Sequence, residues 1–303
     1  MKLLYLSIPE REKVWKEILA PHGIEMIMGE AAVTDPASIT HIACWEPPED
    51  IARYPNLEVL ISVGAGVDHM PPLPEGVALS RTLAESIEKM VRDWCVMGVL
   101  ATHRDLPVYL DQATRGEWVQ HAPNTAKGAR VGIMGMGRIG QLTAQTLKSL
   151  DFEVGGWSRS GRPVEDCPVY DQAGLDAFLA RTDILVCLLP LTDETRGLMD
   201  AAFFAKLPRG ARIVQAGRGA QLDLAALRVA LDAGQITSAM LDVTDPEPLP
   251  ADHWAWSDSR LIITPHIAAR TGYEEGARHV LAVMQASAAG NPIPGQVDQK
   301  KGY

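Results

Sequence analysis

The sequence predicts an α/β protein built on two doubly wound parallel sheets. Three observations carry this expectation. Short apolar runs alternate with polar or amphipathic segments along nearly the whole chain, as strands and crossover helices do. The alternation falls into two series, separated by a long helical segment and a polar loop. A glycine-rich turn opens a helix directly after the first strand of the second series.

At 303 residues the chain has the length of about two domains. With 47% apolar and 22% charged residues it can bury a sizeable core. A net charge of −10 argues against general binding to nucleic acid or a membrane surface, while leaving room for a local basic pocket. Cys44, Cys95, Cys167 and Cys187 lie far apart and form no CxxC pair. Such usage fits reduced thiols in a reducing compartment and no metal site. The N-terminal "MKLLYLSIPEREKVW" has an apolar run too short for a secretory signal. No stretch approaches the roughly 18–20 apolar residues that cross a bilayer. The expectation is a cytoplasmic protein.

In the first series "KLLYLSI", "IEMIMG", "THIACW", "EVLISVG" and "VALSRT" read as buried strands. A long helix follows, with Thr82 and Glu85 at capping-box spacing and Ile87, Met90, Val91, Trp94 and Gly98 at helical intervals. Its apolar stripe serves equally as core or interface. The polar loop 115–129 is the candidate boundary between domains. The second series has the strands "ARVGIM", "FEVGGW", "DILVCLL", "ARIVQA", "TSAMLDV" and "LIITP". Helical patterns such as "RIGQLTAQTLKSL" and "LDLAALRVALDAG" lie between them. The segment "GYEEGARHVLAVMQASAAG" reads as a last helix and "NPIPGQVDQKKGY" as an irregular tail.

The turn itself is Gly135-Met136-Gly137-Arg138-Ile139-Gly140. Its first glycine permits the tight turn, its second lets backbone approach a pyrophosphate, and its third lets helix and strand pack closely. The helix N-terminus then offers free N–H groups to the phosphates. This is a Rossmann-type dinucleotide signature. The second strand of such a fold normally ends in a carboxylate that binds the adenosine ribose. Here the strand ends at Trp157, and Ser158, Arg159, Ser160 and Arg162 follow with no acid before Glu165. Arginines and serines at that point suit a 2′-phosphate, so NADP(H) is the expected cofactor, with NAD(H) possible. The alternative is two solvated loop arginines.

Three polar residues stand just past strands in the second series: Arg218 in "IVQAGRGA", Glu247 in "LDVTDPEPLP" and His266 in "LIITPHIAA". The carboxyl ends of strands in an open α/β sheet face the ligand crevice. An arginine can hold a carboxylate and polarise the neighbouring carbonyl. A histidine can deliver a proton, and an adjacent glutamate favours the charged imidazole. Together these types suit hydride transfer to a 2-oxo acid. Singly, each is equally a turn, an exposed loop or a structural histidine.

The ordered set "GMGRIG", "AGRG", "LDVTDPEPLP" and "TPHIAA" resembles the D-isomer-specific 2-hydroxyacid dehydrogenase family. "CWEPPED", "VGAGVDHM", "GWSRSGR", "LLPLTDETRGLMD" and "GQVDQKKGY" resemble its glyoxylate/hydroxypyruvate reductase A branch. The resemblance covers nearly the whole chain. It implies a Rossmann cofactor domain (96–270) and a smaller flavodoxin-like substrate domain (1–95 and 271–303), with the active site in the cleft. It implies Arg218, Glu247 and His266 as the catalytic trio, and Ala65, Gly66 and Trp45 beside a small 2-oxo or 2-hydroxy acid. Trp45 is alternatively core packing. Leu188, Leu189, Pro190 and Thr195 are implied along the cofactor, with Ala216 and Asp242 near its nicotinamide. Asp242 is alternatively a structural carboxylate at a strand end. The resemblance also implies a homodimer built on the long helix.

This sequence departs from the family pattern at Gln215, where an asparagine is frequent, at Thr244, where an aromatic is common, and at Arg92-Asp93, where relatives often carry a glutamate. These changes put the shape of the substrate pocket in doubt. A bulkier D-2-hydroxy acid is the alternative substrate, and a nucleotide-sensing binding protein on the same scaffold is the alternative function.

Overall fold

The structure is a computed structural model that describes residues 1–122 and 124–298. Five strands open the chain: β1 (Lys2–Leu6), β2 (Glu25–Met28), β3 (His41–Cys44), β4 (Val59–Ser62) and β5 (Ala78–Arg81), with helix α1 (Glu12–Leu19) between β1 and β2. Helices α2 (Glu85–His103) and α3 (Leu106–Arg115) follow. The second series is β6 (Arg130–Met134), α4 (Arg138–Lys148), β7 (Glu153–Trp157), β8 (Val169–Tyr170), α5 (Leu175–Ala180), β9 (Ile184–Cys187), α6 (Ala201–Lys206), β10 (Ala211–Gln215), α7 (Leu224–Asp232), β11 (Ile236–Leu241) and β12 (Leu261–Ile263). Helix α8 (Tyr273–Ala288) closes the regular structure.

The chain divides into two compact units. The first comprises residues 1–87 and the segment from Arg270 onward. Its sheet has the order β2-β1-β3-β4-β5 with every neighbouring pair parallel, the flavodoxin-like arrangement. Leu3 and Tyr5 bury with Trp15 of α1 and with Val280, Val283 and Met284 of α8. Leu4, Ile42, Leu60 and Leu79 bury on the other face. Strands covered on both faces must be apolar at successive positions, which explains the continuous runs in the sequence. The tail is less irregular than expected. Val297 N–H donates to Leu79 O (2.9 Å) and Arg81 N–H to Gly295 O (3.0 Å), so it runs along the free edge of β5. Residues 299–303 of the "GQVDQKKGY" motif lie outside the described residues.

The second unit comprises residues 88–269. Its seven strands have the order β12-β11-β10-β9-β6-β7-β8, again all parallel. The doubly wound expectation is met, with a short extra strand, β8. Two residues are too few for periodicity to reveal. The division falls at Ile87/Glu88, within α2, and not at the polar loop 115–129. The physical reason is burial. Trp94, Cys95 and Val99 of α2 join Val131, Ile133, Val186, Val214 and Met240 in one core. Burying such side chains stabilises by about 1.5–3 kcal/mol each, which ties α2 to this sheet. The capping-box expectation also fails. The Thr82 hydroxyl donates to Ser62 O (2.7 Å), and the helix starts only at Glu85.

No helix among the described residues is long and apolar enough to cross a membrane. One core residue makes stability depend on acid. His41, at the start of β3, is 1% exposed, and its Nε2 has no partner among the described residues. Burial pushes its imidazole down to about 4, against the pull of Glu58. Burial lowers His103 and His279 as well. A free histidine titrates near 6.5. Between that value and about 4 the unfolded chain therefore binds more protons than the folded one, so stability rises with pH across the window and is lost as pH falls through it. Urea unfolding at several pH values should show that His41→Leu flattens this slope, removing on the order of 3 kcal/mol of the acid sensitivity. An unchanged slope refutes the assignment.

Candidate active site

The glycine turn leaves β6 at its carboxyl end. Gly135 has φ +103°, and its N–H donates to Trp157 O (2.9 Å). A Cβ on Gly140 would lie 2.0 Å from Gly135 O, so only glycine lets α4 begin this close to β6. Over Gly137 there is open space, and no side chain caps α4. The first-turn N–H groups of a helix have no intrahelical acceptor, so an uncapped helix facing open space is a cradle for a phosphate group. The Arg138 guanidinium is engaged by Glu88 (2.8 Å). Met136 packs against Gly156, where an added Cβ would meet its Sδ at 2.4 Å.

At the end of β7 the Trp157 indole N–H donates to Asp171 O (2.8 Å), and Ser158 N–H donates to Tyr170 O (3.0 Å). Ser158 is half-buried, whereas Arg159, Ser160 and Arg162 are exposed. Gly161 N–H closes a turn onto Ser158 O (3.1 Å). One acid does come near. The Glu194 carboxylate stands 3.6 Å from the Arg159 guanidinium. It arrives from the loop after β9, and nothing in the local sequence around Arg159 announces it.

That loop, Leu188 to Thr195, is pinned from inside. The Thr195 hydroxyl donates to Pro190 O (2.7 Å). Gln221, fully buried, donates to Leu189 O (3.1 Å) and Pro190 O (3.0 Å) and accepts from Arg218 N–H (2.9 Å). Gln215 donates to Arg218 O (2.9 Å) and accepts from Gly217 N–H (3.2 Å). Two buried glutamines thus hold the backbone of Arg218 from both sides. Gln221 was not singled out in the sequence, because a glutamine in "RGAQLD" reads as an ordinary turn residue. Ala216 N–H continues the sheet to Cys187 O (3.1 Å). The Arg218 guanidinium is half-buried and donates to Gly217 O (2.8 Å). A Cβ on Gly219 would lie 1.9 Å from Thr244 O, so this glycine brings the Arg218 turn against the loop that carries Glu247.

Glu247 and His266 meet directly, His266 Nδ1 lying 2.6 Å from Glu247 Oε1. Both are partly exposed. Bonding at Nδ1 occupies one ring nitrogen and leaves Nε2 for a second partner. Asp242, at the end of β11, is buried, and its carboxylate accepts from the Thr264 hydroxyl and from the N–H groups of Ile267 and Ala268.

In the first unit Trp45 stacks on His69 (4.4 Å between centroids) and presses on Gly64. It lines a cavity of about 970 Å³ over the carboxyl ends of β1 and β2, with Tyr5, Ser7, Met28 and Glu46. The backbone N–H groups of Ala65 and Gly66 have no acceptor among the described residues. Gly66 O accepts from the Ser62 hydroxyl (2.9 Å).

The cysteines offer no nucleophile. All four are unpaired and buried, and burial pushes the Cys187 thiol, at the end of β9, up to about 12. Among the described residues no cluster of His, Cys, Asp or Glu is suited to a metal ion.

A doubly wound sheet with an uncapped glycine-turn helix and a His–Glu pair at one edge defines a dinucleotide-dependent oxidoreductase. The chain belongs to the D-isomer-specific 2-hydroxyacid dehydrogenase family, on its glyoxylate/hydroxypyruvate reductase A branch. Residues 96–268 match the family model described as D-isomer specific 2-hydroxyacid dehydrogenase, NAD binding domain. A glyoxylate/hydroxypyruvate reductase A from Yersinia enterocolitica is 35% identical over 280 residues, 89% of each chain. A solved D-isomer specific 2-hydroxyacid dehydrogenase from Xanthobacter autotrophicus Py2, in complex with NADPH and MES, superposes with a TM-score of 0.94 at 35% identity. That match covers 100% of this chain and 99% of the other. An NADPH-dependent glyoxylate/hydroxypyruvate reductase from Sinorhizobium meliloti, in complex with NADP and sulfate, gives 0.91 at 36% identity, with coverage of 100% and 99%.

Proposed function

We propose that this chain is an NADPH-preferring reductase of small 2-oxo acids, glyoxylate and hydroxypyruvate among them. The observation that carries the reading is the 2.6 Å pair of His266 and Glu247, on the same sheet edge as the Gly135–Gly140 turn. The Sinorhizobium meliloti relative, an NADPH-dependent reductase of these two acids, supports it. The first unit is the proposed substrate domain and the second the proposed cofactor domain.

The cradle at α4 fits a pyrophosphate, and Ser158 and Arg159, with Ser160 and Arg162 behind them, fit a 2′-phosphate. When bound, the cofactor supplies a hydride for the keto carbon. The rest falls to side chains. The paired N–H groups of Ala65 and Gly66 hold the substrate carboxylate. Arg218 polarises the carbonyl through its planar fork. Glu247 accepts from Nδ1–H of His266 and so orients the ring, which in its imidazolium form carries its second proton on Nε2. That proton goes to the forming alkoxide, so one hydride and one proton convert the 2-oxo acid into a 2-hydroxy acid. Trp45 limits the substrate to small side chains.

The proposed assembly is a homodimer. Met97, Leu100, Leu106 and Leu110 leave an exposed apolar face along α2 and α3, the kind of surface that marks a protein–protein contact. The proposed compartment is the cytoplasm, in keeping with four unpaired cysteines.

The activity is tested by NADPH oxidation with glyoxylate and hydroxypyruvate, where no turnover on either would overturn the substrate assignment. His266→Gln should lower kcat by about 10²-fold or more, and a loss below that removes His266 from the role of proton donor. Arg159→Ala should raise KM for NADPH by about 10–100-fold, the scale of charge-assisted hydrogen bonds, and leave KM for NADH nearly unchanged. Equal effects on both would dismiss the 2′-phosphate contact. Sedimentation should give twice the chain mass and Leu100→Glu the single mass; a monomeric parent rules out the dimer. Recovery of the protein outside the cytoplasmic fraction of its cell would do the same for the compartment.

A further inference from the structure

His266 adopts φ +52°, a left-handed backbone conformation that residues with a side chain seldom take. Such a conformation persists only where its surroundings over-determine it. Asp242 does so from two directions. Its backbone carbonyl accepts His266 N–H (2.8 Å). Its carboxylate takes the next two donors in the chain, Ile267 N–H (2.9 Å) at Oδ1 and Ala268 N–H (2.8 Å) at Oδ2. Asp242 is only 2% exposed, so these bonds form away from competing water.

The grip extends further back. The Thr264 hydroxyl donates to Asp242 Oδ1 (2.6 Å), and the Thr264 hydroxyl oxygen accepts from the indole N–H of Trp94 (3.1 Å). A hydroxyl has one proton. Accepting from the indole leaves that proton to the carboxylate, so the chain runs in one direction, from indole to hydroxyl to carboxylate. Trp94 sits on α2, buried in the core shared with β6, β10 and β11. A continuous line of hydrogen bonds therefore connects a rigid helix to the turn that carries His266.

We propose that Trp94, Thr264 and Asp242 are positioning residues that aim the His266 imidazole. This role acts through His266 and is separate from the place beside the nicotinamide that the family resemblance implies for Asp242. The proposal rests on the reading of His266 as proton donor. Proton transfer needs the donor within hydrogen-bond reach of the forming alkoxide, and a shift of about 1 Å at a reacting group can cost about 10²-fold in rate. A turn held by three donors on one carboxylate resists such a shift. A turn held by sequence preference alone does not, because histidine, although it enters the left-handed region more often than most residues, still carries the Cβ that disfavours it.

The test uses Thr264→Val, which keeps the shape and removes the hydroxyl, with Thr264→Ser as the rescue and Trp94→Phe as the loss of the indole N–H alone. The readouts are kcat and KM on glyoxylate, the NADPH dissociation constant by fluorescence titration, and amide exchange at Ile267 and Ala268 in protein without added cofactor. Thr264→Val should lower kcat by about 10–100-fold and leave the NADPH dissociation constant within about threefold of the parent. Exchange at both amides should quicken by about tenfold or more, and Thr264→Ser should recover most of the kcat. Trp94→Phe should change the same quantities in the same direction by less, and it carries the test if Thr264→Val does not fold. A parental kcat in Thr264→Val, an equal loss of kcat and NADPH affinity, or no recovery in Thr264→Ser overturns the proposal. His266→Gln, assayed in parallel, separates the two ideas. If it turns over normally, the proton-donor reading itself has failed. If it is inactive while Thr264→Val is normal, only the positioning chain has failed.

Discussion

The second unit depends on one constraint: all seven strands run the same way. A parallel pair cannot be joined by a tight hairpin, so each strand must be followed by a crossover. Every crossover leaves the sheet at the carboxyl edge. The glycine turn follows β6, Ser158 and Arg159 follow β7, and Leu188–Thr195 follows β9. Arg218 follows β10, Asp242 and Glu247 follow β11, and His266 follows β12. The sheet thus gathers six separate segments without any of them being near another in sequence. The strand order adds the second half of the geometry, because it reverses at β6/β9, where loops part and open a crevice.

Gathering loops on a buried edge creates an electrostatic problem. Backbone N–H and C=O groups leave the sheet there, and an unsatisfied one costs about 1–3 kcal/mol. Three buried polar side chains resolve it. Gln215 and Gln221 satisfy the backbone around Arg218 and Pro190, and Asp242 satisfies the backbone around His266. Each replaces water as a partner and, unlike water, fixes the loop in one shape. The departure at Gln215 is intelligible here. Its longer side chain reaches both Arg218 O and Gly217 N–H, so the substitution bears on the turn's backbone.

Much of this was legible in the sequence, and the reasons differ by element. Strands covered on both faces declare themselves as apolar runs, and the glycine turn is legible because Gly140 has no steric alternative. The Glu247 and His266 pair was legible as two suitable residue types past two strands. What sequence hid was mostly a matter of distance along the chain. Helix α2 shows a periodic stripe whichever sheet it packs on, so its place in the second unit could not be read from it. Glu194 reaches Arg159 from another loop. The left-handed φ of His266 and its hold by Asp242 belong to the fold, since histidine enters that region more often than most residues but nothing in "TPHIAA" requires it.

Glu194 changes the physical meaning of the acid-free end of β7. The absence of a carboxylate at Ser158 removes repulsion at the strand end itself. It does not leave Arg159 in a field without negative charge, because Glu194 stands 3.6 Å away. Both partners are largely exposed, and exposed pairs of this kind contribute about 0–1 kcal/mol. A phosphate held by a guanidinium fork and a hydroxyl gains more, about 1.5–3 kcal/mol for each charge-assisted bond. On the proposed function, the phosphate therefore displaces Glu194 from Arg159 at little expense. Salt weakens both interactions through the same screening, so the margin between them narrows as ionic strength rises. On the proposed function, selectivity at Arg159 sets the phosphate against Glu194, and the missing acid is only half of it.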